Sequence, residues 1–390
     1  MSAGASAVGP AATAGPVRVV GTGLLGASVG LGLRALGVEV QLSDPSRTAV
    51  LLARDVGAGV PADDASVPPR LVVVAAPPDV TADVVRAELE AWPGAVVTDV
   101  ASVKSAVLAE LRESGADLTR YVGSHPMAGS ERSGPTAARP DLFAGRPWVV
   151  VGSPASSGEA VLAVRNLAVD LGASPVMLDA RTHDEAVALV SHVPQVAASL
   201  VAARLTAADP AALDLSGQGL RDVTRVAASD PALWTSILTA NADAVVPVLE
   251  ALRTDLDALV DALVTARVAT ASADAGDGDD EGAAGLGDGP APHAVVARTI
   301  AAGNAGVSRI PGKHGGVRRA YDVVTVLVPD SPGELARLLA DVGAAGINLE
   351  ELQLDHAPHQ PVGLASVSVL PGLGGRLETE LTGRGWRLAG

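Results

Sequence analysis

The segment Val17-Arg18-Val19-Val20-Gly21-Thr22-Gly23-Leu24-Leu25-Gly26 decides the fold of the first part of this chain. A short apolar run leads into a Gly-x-Gly-x-x-Gly turn, and residues 24–36 continue as an apolar stretch typical of a helix. The glycines permit a tight bend and close approach of the backbone to a pyrophosphate, and the helix N-terminus offers free N–H groups to phosphates. The motif is weak alone, but the strand before it and the helix after it predict a dinucleotide site formed by Gly21, Gly23, Leu24, Leu25 and Gly26.

Asp44 lies at the end of the next predicted strand, 23 positions after Gly21. A carboxylate there accepts hydrogen bonds from the ribose hydroxyls of NAD and repels the 2′-phosphate of NADP. The alternative role for Asp44 is a solvated turn residue before Pro45. Arg47 works against the preference for NAD, because an Arg can bind a 2′-phosphate. We predict that Asp44 binds the cofactor, and that NAD is preferred to NADP.

Short apolar runs alternate with helical patterns through residues 16–179, and this alternation predicts a mostly parallel sheet in a Rossmann-type α/β domain. The runs are residues 17–20, 38–42, 71–74, 95–98 and 148–151. Residues 1–15 are rich in Ala and Gly, lack a signal-peptide pattern and are predicted to be disordered.

The alternation ends near residue 179, and residues 180–270 are predicted to form an all-helical substrate and dimerisation domain. Leu189, Val193, Val196 and Leu200 recur with helical spacing, and Pro194 should bend or locally open that helix. A later stripe of Leu side chains suits helix packing or a dimer interface. Its members are Leu249, Leu252, Leu256, Leu259 and Leu263.

The rest of the chain is predicted to be a linker and a small domain. Residues 271–292 form an acidic, Gly-rich linker, with six acids and no base between residues 271 and 290. Residues 318–390 show the order β-α-β-β-α-β, which is typical of a ferredoxin-like domain. The predicted elements are residues 321–328, 332–342, 347–355, 362–370, 375–383 and 386–388.

Composition excludes several classes of function. The formal net charge of −16 over 390 residues opposes attraction to nucleic acid or to an anionic membrane surface. The absence of cysteine excludes disulfides, Cys-ligated metals and thiol catalysis. No uninterrupted apolar stretch of about 18 residues is seen, so we predict no membrane span and a cytoplasmic protein.

Two polar segments follow strands of the predicted sheet, at the edge where open α/β sheets bind ligands. Asp99 to Lys104 (DVASVK) follows the fourth strand, and Ser124 to Glu131 (SHPMAGSE) is placed after the fifth. His125 could take a proton from a substrate hydroxyl while hydride leaves the same carbon, and Ser102 could orient it. The alternatives are a helix N-cap for Ser102 and a structural turn residue for His125.

Five segments taken together resemble the prephenate/arogenate dehydrogenase family of tyrosine biosynthesis. They are GTGLLGAS, DVASVK, HPMAGSERSG, HDEAVALVSHVPQ and RDVTRVAASDPALW, in order from about Val17 to Leu263. The resemblance implies an oxidative decarboxylation, in which hydride leaves ring C4 for NAD, the C1 carboxylate leaves as CO₂ and the ring becomes aromatic. His125 would then be the proton acceptor, Ser102 its orienting partner, and Arg225 would hold a substrate carboxylate. Without the motif, Arg225 would be interpreted as a surface residue.

The same resemblance implies further substrate-binding residues. The set comprises Ser191, His192, Gln195, Trp234, Ser130 and Glu131. For Trp234, simple core packing is the equal alternative. Some members of the family carry His at the position of Gln195, and a neutral Gln suits either prephenate or arogenate. Prephenate is our first prediction and arogenate the alternative.

The sequence predicts no metal site. His183 and His192 are nine positions apart, about half a turn out of phase on a regular helix, and no HExxH-like spacing occurs. Basic groups are instead expected to gather around the pocket for an anionic substrate. They are Lys104, His125, His192, Arg221 and Arg225.

The C-terminal domain resembles an ACT domain through Asp330 to Leu335 (DSPGEL) and the later Gly346-Ile347-Asn348. The resemblance implies feedback inhibition by tyrosine, bound through Asp330, Gly333 and Asn348. A purely structural, dimer-forming module is the alternative.

The leading hypothesis is therefore a homodimeric, NAD-dependent prephenate dehydrogenase with a small-molecule substrate. A dehydrogenase of simple β-hydroxy acids and a non-catalytic amino-acid sensor are the rival classes. HPMAGSE and RDVTR disfavour the first, and the joint presence of Ser102, His125 and Arg225 disfavours the second.

Overall fold

A computed structural model describes residues 10–63, 66–129, 134–274, 291–311, 321–356 and 362–389. The chain divides into two compact units, which are described separately. The first contains the residues up to Ala203 together with Thr224–Glu250, and the second contains Arg204–Val223 and the residues from Ala251 onward.

The first unit is built on an eight-stranded sheet of order β3-β2-β1-β4-β5-β6-β7-β8. Its strands are β1 Val17–Val20, β2 Val40–Ser43, β3 Val60–Pro61, β4 Leu71–Val74, β5 Val96–Asp99, β6 Tyr121–Pro126, β7 Pro147–Gly152 and β8 Ser174–Met177. Its first helices are α1 Leu24–Ala35, α2 Arg47–Asp55, α3 Pro78–Ala91, α4 Ser105–Glu113 and α5 Gly158–Asp170. β1 to β6 are parallel in this Rossmann-type sheet, and β7 runs antiparallel to β6.

The predicted parallel core is confirmed. Leu71–Val74 is buried along its whole length, as expected of a strand covered by helices on both faces. β1 lies between β2 and β4, so the strand order reverses there and opens the crevice in which such sheets bind ligands. The apolar runs did not include β3, β6 or β8, although a strand was expected before Ser124. His125 lies inside that strand, β6, rather than after it.

The N-terminal boundary lies earlier than predicted. Thr13 is buried, and its backbone N–H and hydroxyl both donate hydrogen bonds to Asp170, at 2.7 and 2.6 Å. Within the described residues 10–15, the prediction of disorder is therefore wrong.

The helical segments that follow are α6 Ala180–Val187, α7 Val193–Arg204, α8 Pro210–Leu213, α9 Gln218–Thr224, α10 Pro231–Ala240 and α11 Ala242–Asp274. A π-helical turn, Ala188–His192, joins α6 to α7. Pro194 lacks an N–H and crowds the preceding turn, so the predicted local opening is found just before it. The predicted apolar stripe is divided, because Leu189 and Leu200 are exposed while Val193 is buried.

The helical stretch Ala180–Ala207 is long and apolar enough to cross a membrane, and Pro231–Ala240 with Ala242–Thr270 would qualify only if that bent pair were one span. This is a weak indication of a membrane span, because a core helix of a soluble protein passes the same test.

The second unit contains a four-stranded antiparallel sheet of order β10-β11-β9-β12. Its elements are α12 Pro292–Ser308, β9 Asp322–Pro329, α13 Glu334–Ala344, β10 Glu351–His356, β11 Val362–Val369, α14 Gly374–Gly383 and β12 Arg387–Leu388. The predicted β-α-β-β-α-β order is confirmed, whereas α12 was not predicted. Most of the predicted linker, residues 275–290, lies outside the described residues.

Candidate active site

The glycine loop joins β1 to α1 at the point where the strand order reverses. Gly21 has φ +95°, and a Cβ there would collide with the Ala75 carbonyl oxygen of the neighbouring strand end. Among the described residues, a Cβ on Gly23 would have no neighbour within 4 Å. Within the part of the chain that the structure describes, no side chain caps the start of α1 at Gly23. The loop thus combines a tight fit to the sheet with an open helix N-terminus, the arrangement that a pyrophosphate requires.

Asp44 anchors this loop from the end of β2. One carboxylate oxygen accepts hydrogen bonds from Thr22 N at 2.7 Å and from the Thr22 hydroxyl at 3.1 Å. The other accepts from Ser46 N at 2.8 Å. Since a carboxylate offers about four acceptor positions, one remains for a ribose hydroxyl. Arg47 is exposed at the first turn of α2.

A buried polar cluster of Asp99, Lys104, Tyr121 and Ser124 adjoins His125. The Lys104 ammonium contacts Asp99 Oδ1 and donates a hydrogen bond to the Ser124 carbonyl oxygen at 2.8 Å. The Tyr121 hydroxyl donates to Asp99 Oδ2 at 2.6 Å. Burial lowers the pKa of Lys104. Burial also raises the pKa of Tyr121 well above its usual value, and the Asp99 carboxylate raises the pKa of Tyr121 further.

The cluster corrects one expectation about substrate binding. Lys104 is 1% exposed and paired with Asp99, so it does not face an anionic substrate. Its contact with the Ser124 carbonyl instead fixes the backbone immediately before His125. Gly123 makes room for this packing, because a Cβ there would lie 3.2 Å from Lys104 Cδ and from the Tyr121 hydroxyl.

His125, at the carboxyl end of β6, contacts a second histidine. Its Nδ1 lies 2.9 Å from Nε2 of His183, and the rings meet edge to face with centroids 5.1 Å apart. His183 is completely buried in α6, and its Nδ1 lies 2.8 Å from Asp184 Oδ1. Burial holds the pKa of His125 well below its usual value, and neighbouring imidazole and ammonium groups act in the same direction. His125 is therefore neutral near pH 7, as a general base must be.

Asp184 also completes the start of α4. It accepts hydrogen bonds from Lys104 N at 2.9 Å and Ser105 N at 2.8 Å, which satisfies two N–H groups at the helix N-terminus. Burial acts to raise the pKa of Asp184, but hydrogen bonds from His183 and Ser105 outweigh it and the pKa lies below its usual value. α4 begins at Ser105 with Lys104 at the N-cap position, so Ser102 is not the N-cap of this helix.

His192, Trp234 and Asn241 form a second group of side chains in the same unit. His192 Nδ1 lies 3.0 Å from Asn241 Nδ2, which also donates to the Asp184 carbonyl oxygen at 3.0 Å. The Trp234 ring stands edge-on to His192 at a centroid distance of 5.9 Å. Burial lowers the pKa of His192 to about 4, so this ring is also neutral near pH 7.

The expected opposition of His183 and His192 does not hold, because the helix between them is not regular. A π turn contains one extra residue, so nine positions place the two side chains about 80° apart instead of about 180°. Both rings are buried and linked to Asp184, His183 through the carboxylate and His192 through Asn241. Within the described ranges, no group of three or more His, Cys, Asp or Glu side chains could hold a metal ion, and the absence of a metal stays a prediction.

The remaining predicted substrate residues are only partly connected. Gln195 is buried, with its amide 3.3 Å from the Ser199 hydroxyl, and Ser229 donates to its Oε1 at 3.4 Å. Arg225 is exposed four residues before Ser229, and its guanidinium makes no hydrogen bond or ion pair within the described part of the chain.

Ser191 is half-buried in the π turn, while Ser130 and Glu131 lie outside the described residues. No hydrogen bond joins Ser102 to His125 among the residues that the structure describes; the His125 ring contacts His183 instead. The roles assigned to Ser102 and Arg225 stay predictions.

Sequence reasoning missed His183, Asp184 and Asn241 as parts of this site. The adjacent His-Asp pair in HDEAVALVSHVPQ was a usable signal, because a carboxylate beside a histidine commonly fixes the tautomer of its ring. Asn241 gave no such signal, since its contact with His192 spans 49 positions.

The predicted effector residues lie around the turn between β9 and α13. Gly333 has φ +94° and precedes the first residue of α13, and Asp330 is exposed in the same turn. Asn348 donates to Glu350 Oε1 at 2.9 Å, just before β10. Their role in effector binding stays a prediction.

Comparisons with known proteins agree with this fold. Residues 29–177 match the family model described as "Prephenate dehydrogenase, nucleotide-binding domain", and residues 179–270 match "Prephenate dehydrogenase, dimerization domain". The "Probable prephenate dehydrogenase NovF" of Streptomyces niveus is 39% identical over 373 residues, covering 94% of this chain and 98% of that protein. The cyclohexadienyl dehydrogenase of Zymomonas mobilis is 30% identical over 262 residues, covering 64% of this chain and 88% of that protein.

A solved structure supports the same assignment. The prephenate dehydrogenase from A. aeolicus, in complex with hydroxyphenyl propionate and NAD+, is 25% identical with a TM-score of 0.58, covering 64% of this chain and 91% of that one. With a Rossmann-type domain, a helical dimerisation domain and matches over more than half of its length, this chain belongs to the prephenate/arogenate dehydrogenase family.

Proposed function

We propose that this chain is an NAD-dependent prephenate dehydrogenase that produces 4-hydroxyphenylpyruvate. The observation that carries the proposal is a neutral, half-buried His125 at the carboxyl end of β6, in the same sheet as an open glycine loop. A relative crystallised with NAD+ and hydroxyphenyl propionate supports the choice of ligand class.

The loop of Gly21, Gly23 and Gly26 fits a dinucleotide, because no described side chain caps the N-terminus of α1 or faces Gly23. Leu24 and Leu25 would contribute backbone N–H groups, and Asp44 would accept a ribose hydroxyl. Bound NAD supplies the acceptor for hydride from ring C4.

The residues of the chain supply the acid–base chemistry and the orientation of the substrate. His125 accepts the proton of the 4-hydroxyl and returns it to the ring oxygen once CO₂ has left, and Ser102 orients the hydroxyl or the ring of His125. Arg225 binds a substrate carboxylate with its forked guanidinium. Loss of the C1 carboxylate as CO₂ makes the ring aromatic, so the enzyme needs mainly to position the ring and accept a proton.

Ser191, His192, Gln195 and Trp234 would line the substrate pocket, with Ser130 and Glu131 on the loop after His125. The neutral His192 and Gln195 can hydrogen-bond to the substrate side chain without contributing charge. Arg225 then contributes a positive charge that attracts a dicarboxylate.

The small C-terminal domain suggests regulation of the same enzyme. Its β-α-β-β-α-β order and its Gly333 turn support an ACT domain that binds tyrosine through Asp330, Gly333 and Asn348. A homodimer fits the apolar stripe that Leu252, Leu256 and Leu263 expose on α11. A cytoplasmic location is part of the same proposal.

One assay tests these assignments. Prephenate and arogenate are compared with NAD and NADP, with and without tyrosine, by following the reduced cofactor and CO₂. We expect prephenate with NAD to give the highest kcat/KM and tyrosine to inhibit. Higher kcat/KM with arogenate would make this an arogenate dehydrogenase, tighter binding of NADP would overturn the cofactor assignment, and no turnover of either substrate would overturn the function.

A further inference from the structure

We propose that His183 and Asp184 are positioning residues that fix the tautomer of His125, so that its Nε2 is the atom that accepts the substrate proton. The proposal rests on the function given above and names the atom and the support on which that function depends. It follows from a chain of two contacts, His125 Nδ1 to His183 Nε2 at 2.9 Å and His183 Nδ1 to Asp184 Oδ1 at 2.8 Å.

The direction of these hydrogen bonds is set at the Asp184 end. An ionised carboxylate only accepts hydrogen bonds, and Asp184 is held ionised by its contacts with His183 and Ser105. His183 Nδ1 must therefore carry a proton, and its N–H donates a hydrogen bond to Asp184. With this one proton on the His183 ring, Nε2 has a lone pair, so His125 Nδ1 is the donor in the second contact. The remaining nitrogen of His125, Nε2, is left with a free lone pair.

The surroundings stabilise this order of donors and acceptors. His183 is completely buried, so water does not compete for its ring nitrogens. The two oxygens of Asp184 are fixed by Lys104 N and Ser105 N, so the carboxylate cannot rotate away from the ring. Lys104 in turn binds the Ser124 carbonyl, which holds His125 from the other side.

The same two contacts also stabilise the protonated form of His125. When Nε2 of His125 takes the substrate proton, the ring becomes an imidazolium, and its Nδ1–H donates more strongly to His183. The positive charge is then shared through His183 with the Asp184 carboxylate. This proton transfer breaks the substrate O–H bond and forms the Nε2–H bond, and the inner protons can stay on their nitrogens.

Three variants of the full-length enzyme test the role. His183→Leu removes the acceptor, so we expect kcat to fall about 100-fold or more, with KM for prephenate and the Kd of NAD within about threefold. His183→Gln places an amide oxygen near the position of Nε2. Its kcat should be at least tenfold higher than that of His183→Leu. Glu185→Gln, at the exposed neighbour of Asp184, is the control and should leave kcat unchanged.

A merely structural His183 would lower cofactor binding and kcat together, and Gln would not restore the rate. Wild-type kcat in His183→Leu, or equal kcat in the Leu and Gln variants, would overturn the inference.

A measurement without turnover separates this inference from the proposed function. In wild-type protein labelled with ¹⁵N in histidine, the ring shifts at pH 7 report which nitrogen carries the proton, and His125→Gln assigns the signal. We expect His125 to be protonated at Nδ1. Protonation at Nε2 overturns the inference whatever the substrate, whereas the expected tautomer without turnover of prephenate or arogenate overturns the proposed function.

Discussion

His125 is the residue on which the proposed proton transfer depends. Replacing it with Asn removes the basic nitrogen but keeps a polar side chain of similar reach, so we expect kcat to fall by about 10²- to 10⁴-fold. The Kd of NAD, measured by fluorescence titration, should change by less than about twofold. The same substitution at exposed His293 is the control. Wild-type kcat in His125→Asn would remove this histidine from the chemistry.

Arg225 is assigned to ground-state binding of a carboxylate that is present throughout the reaction. Arg225→Gln keeps the reach of the side chain but loses its charge, and a lost charge-assisted contact costs about 1.5–3 kcal/mol. We therefore expect KM for prephenate to rise about 10- to 100-fold with a small change in kcat. Steady-state kinetics check this, with exposed Arg181→Gln as the control. A large loss of kcat at unchanged KM would contradict the role.

At the scale of secondary structure, β6 carries both His125, the proposed base, and the packing that fixes it. A methyl group on Gly123 would lie 3.2 Å from Lys104 Cδ and the Tyr121 hydroxyl, closer than packed groups normally allow. Gly123→Ala should therefore lower stability by about 1–3 kcal/mol and reduce kcat, because His125 is two residues along the same strand.

Urea unfolding and kcat measure these two effects. Gly94→Ala is the matched control, since a Cβ there meets nothing within 4 Å. Equal stability of the two Ala variants would show that the Lys104 cluster tolerates movement.

The sequence predicted those elements whose signal is local. The glycine loop, the buried strand β4 and the order of the C-terminal domain were all found, since each depends on a turn or on periodicity within about ten residues. The polar segment containing Ser124 and His125 concealed β6, because a strand that ends in a site loses its apolar pattern.

Side-chain contacts between distant positions of the chain could not be predicted from the sequence. Asp184 binds the N–H groups of Lys104 and Ser105 across 80 and 79 positions, and no periodicity records such a pairing. The angle between the His183 and His192 side chains about the helix axis was predicted wrongly, because it depends on the π turn. Pro194 indicated where the helix would be disturbed but not by how many residues.

At the scale of the whole molecule, buried neutral histidines make stability depend on pH. Burial lowers the pKa of His192 to about 4, against about 6.5 in an unfolded chain. Between these values the unfolded state binds more protons than the folded state, so stability is complete above pH 6.5 and is lost as the pH falls toward 4.

From pH 7 to pH 5, this one group should cost about 2 kcal/mol. Urea unfolding at the two pH values, followed by tryptophan fluorescence, should show wild type losing about 2 kcal/mol more than His192→Gln. Equal losses in the two proteins would mean that His192 is as accessible to protons as in the unfolded chain.

The hydrogen bonds from Asp184 to the start of α4 have a consequence for the nascent polypeptide. By residue 177 a growing chain has emerged with its glycine loop, its eight strands and His125, yet it lacks the pair that sets the His125 ring. On the proposed function, cofactor affinity and turnover would then be acquired at different lengths of chain. A ribosome-stalled fragment ending before His183 would keep the glycine loop but would not turn over substrate.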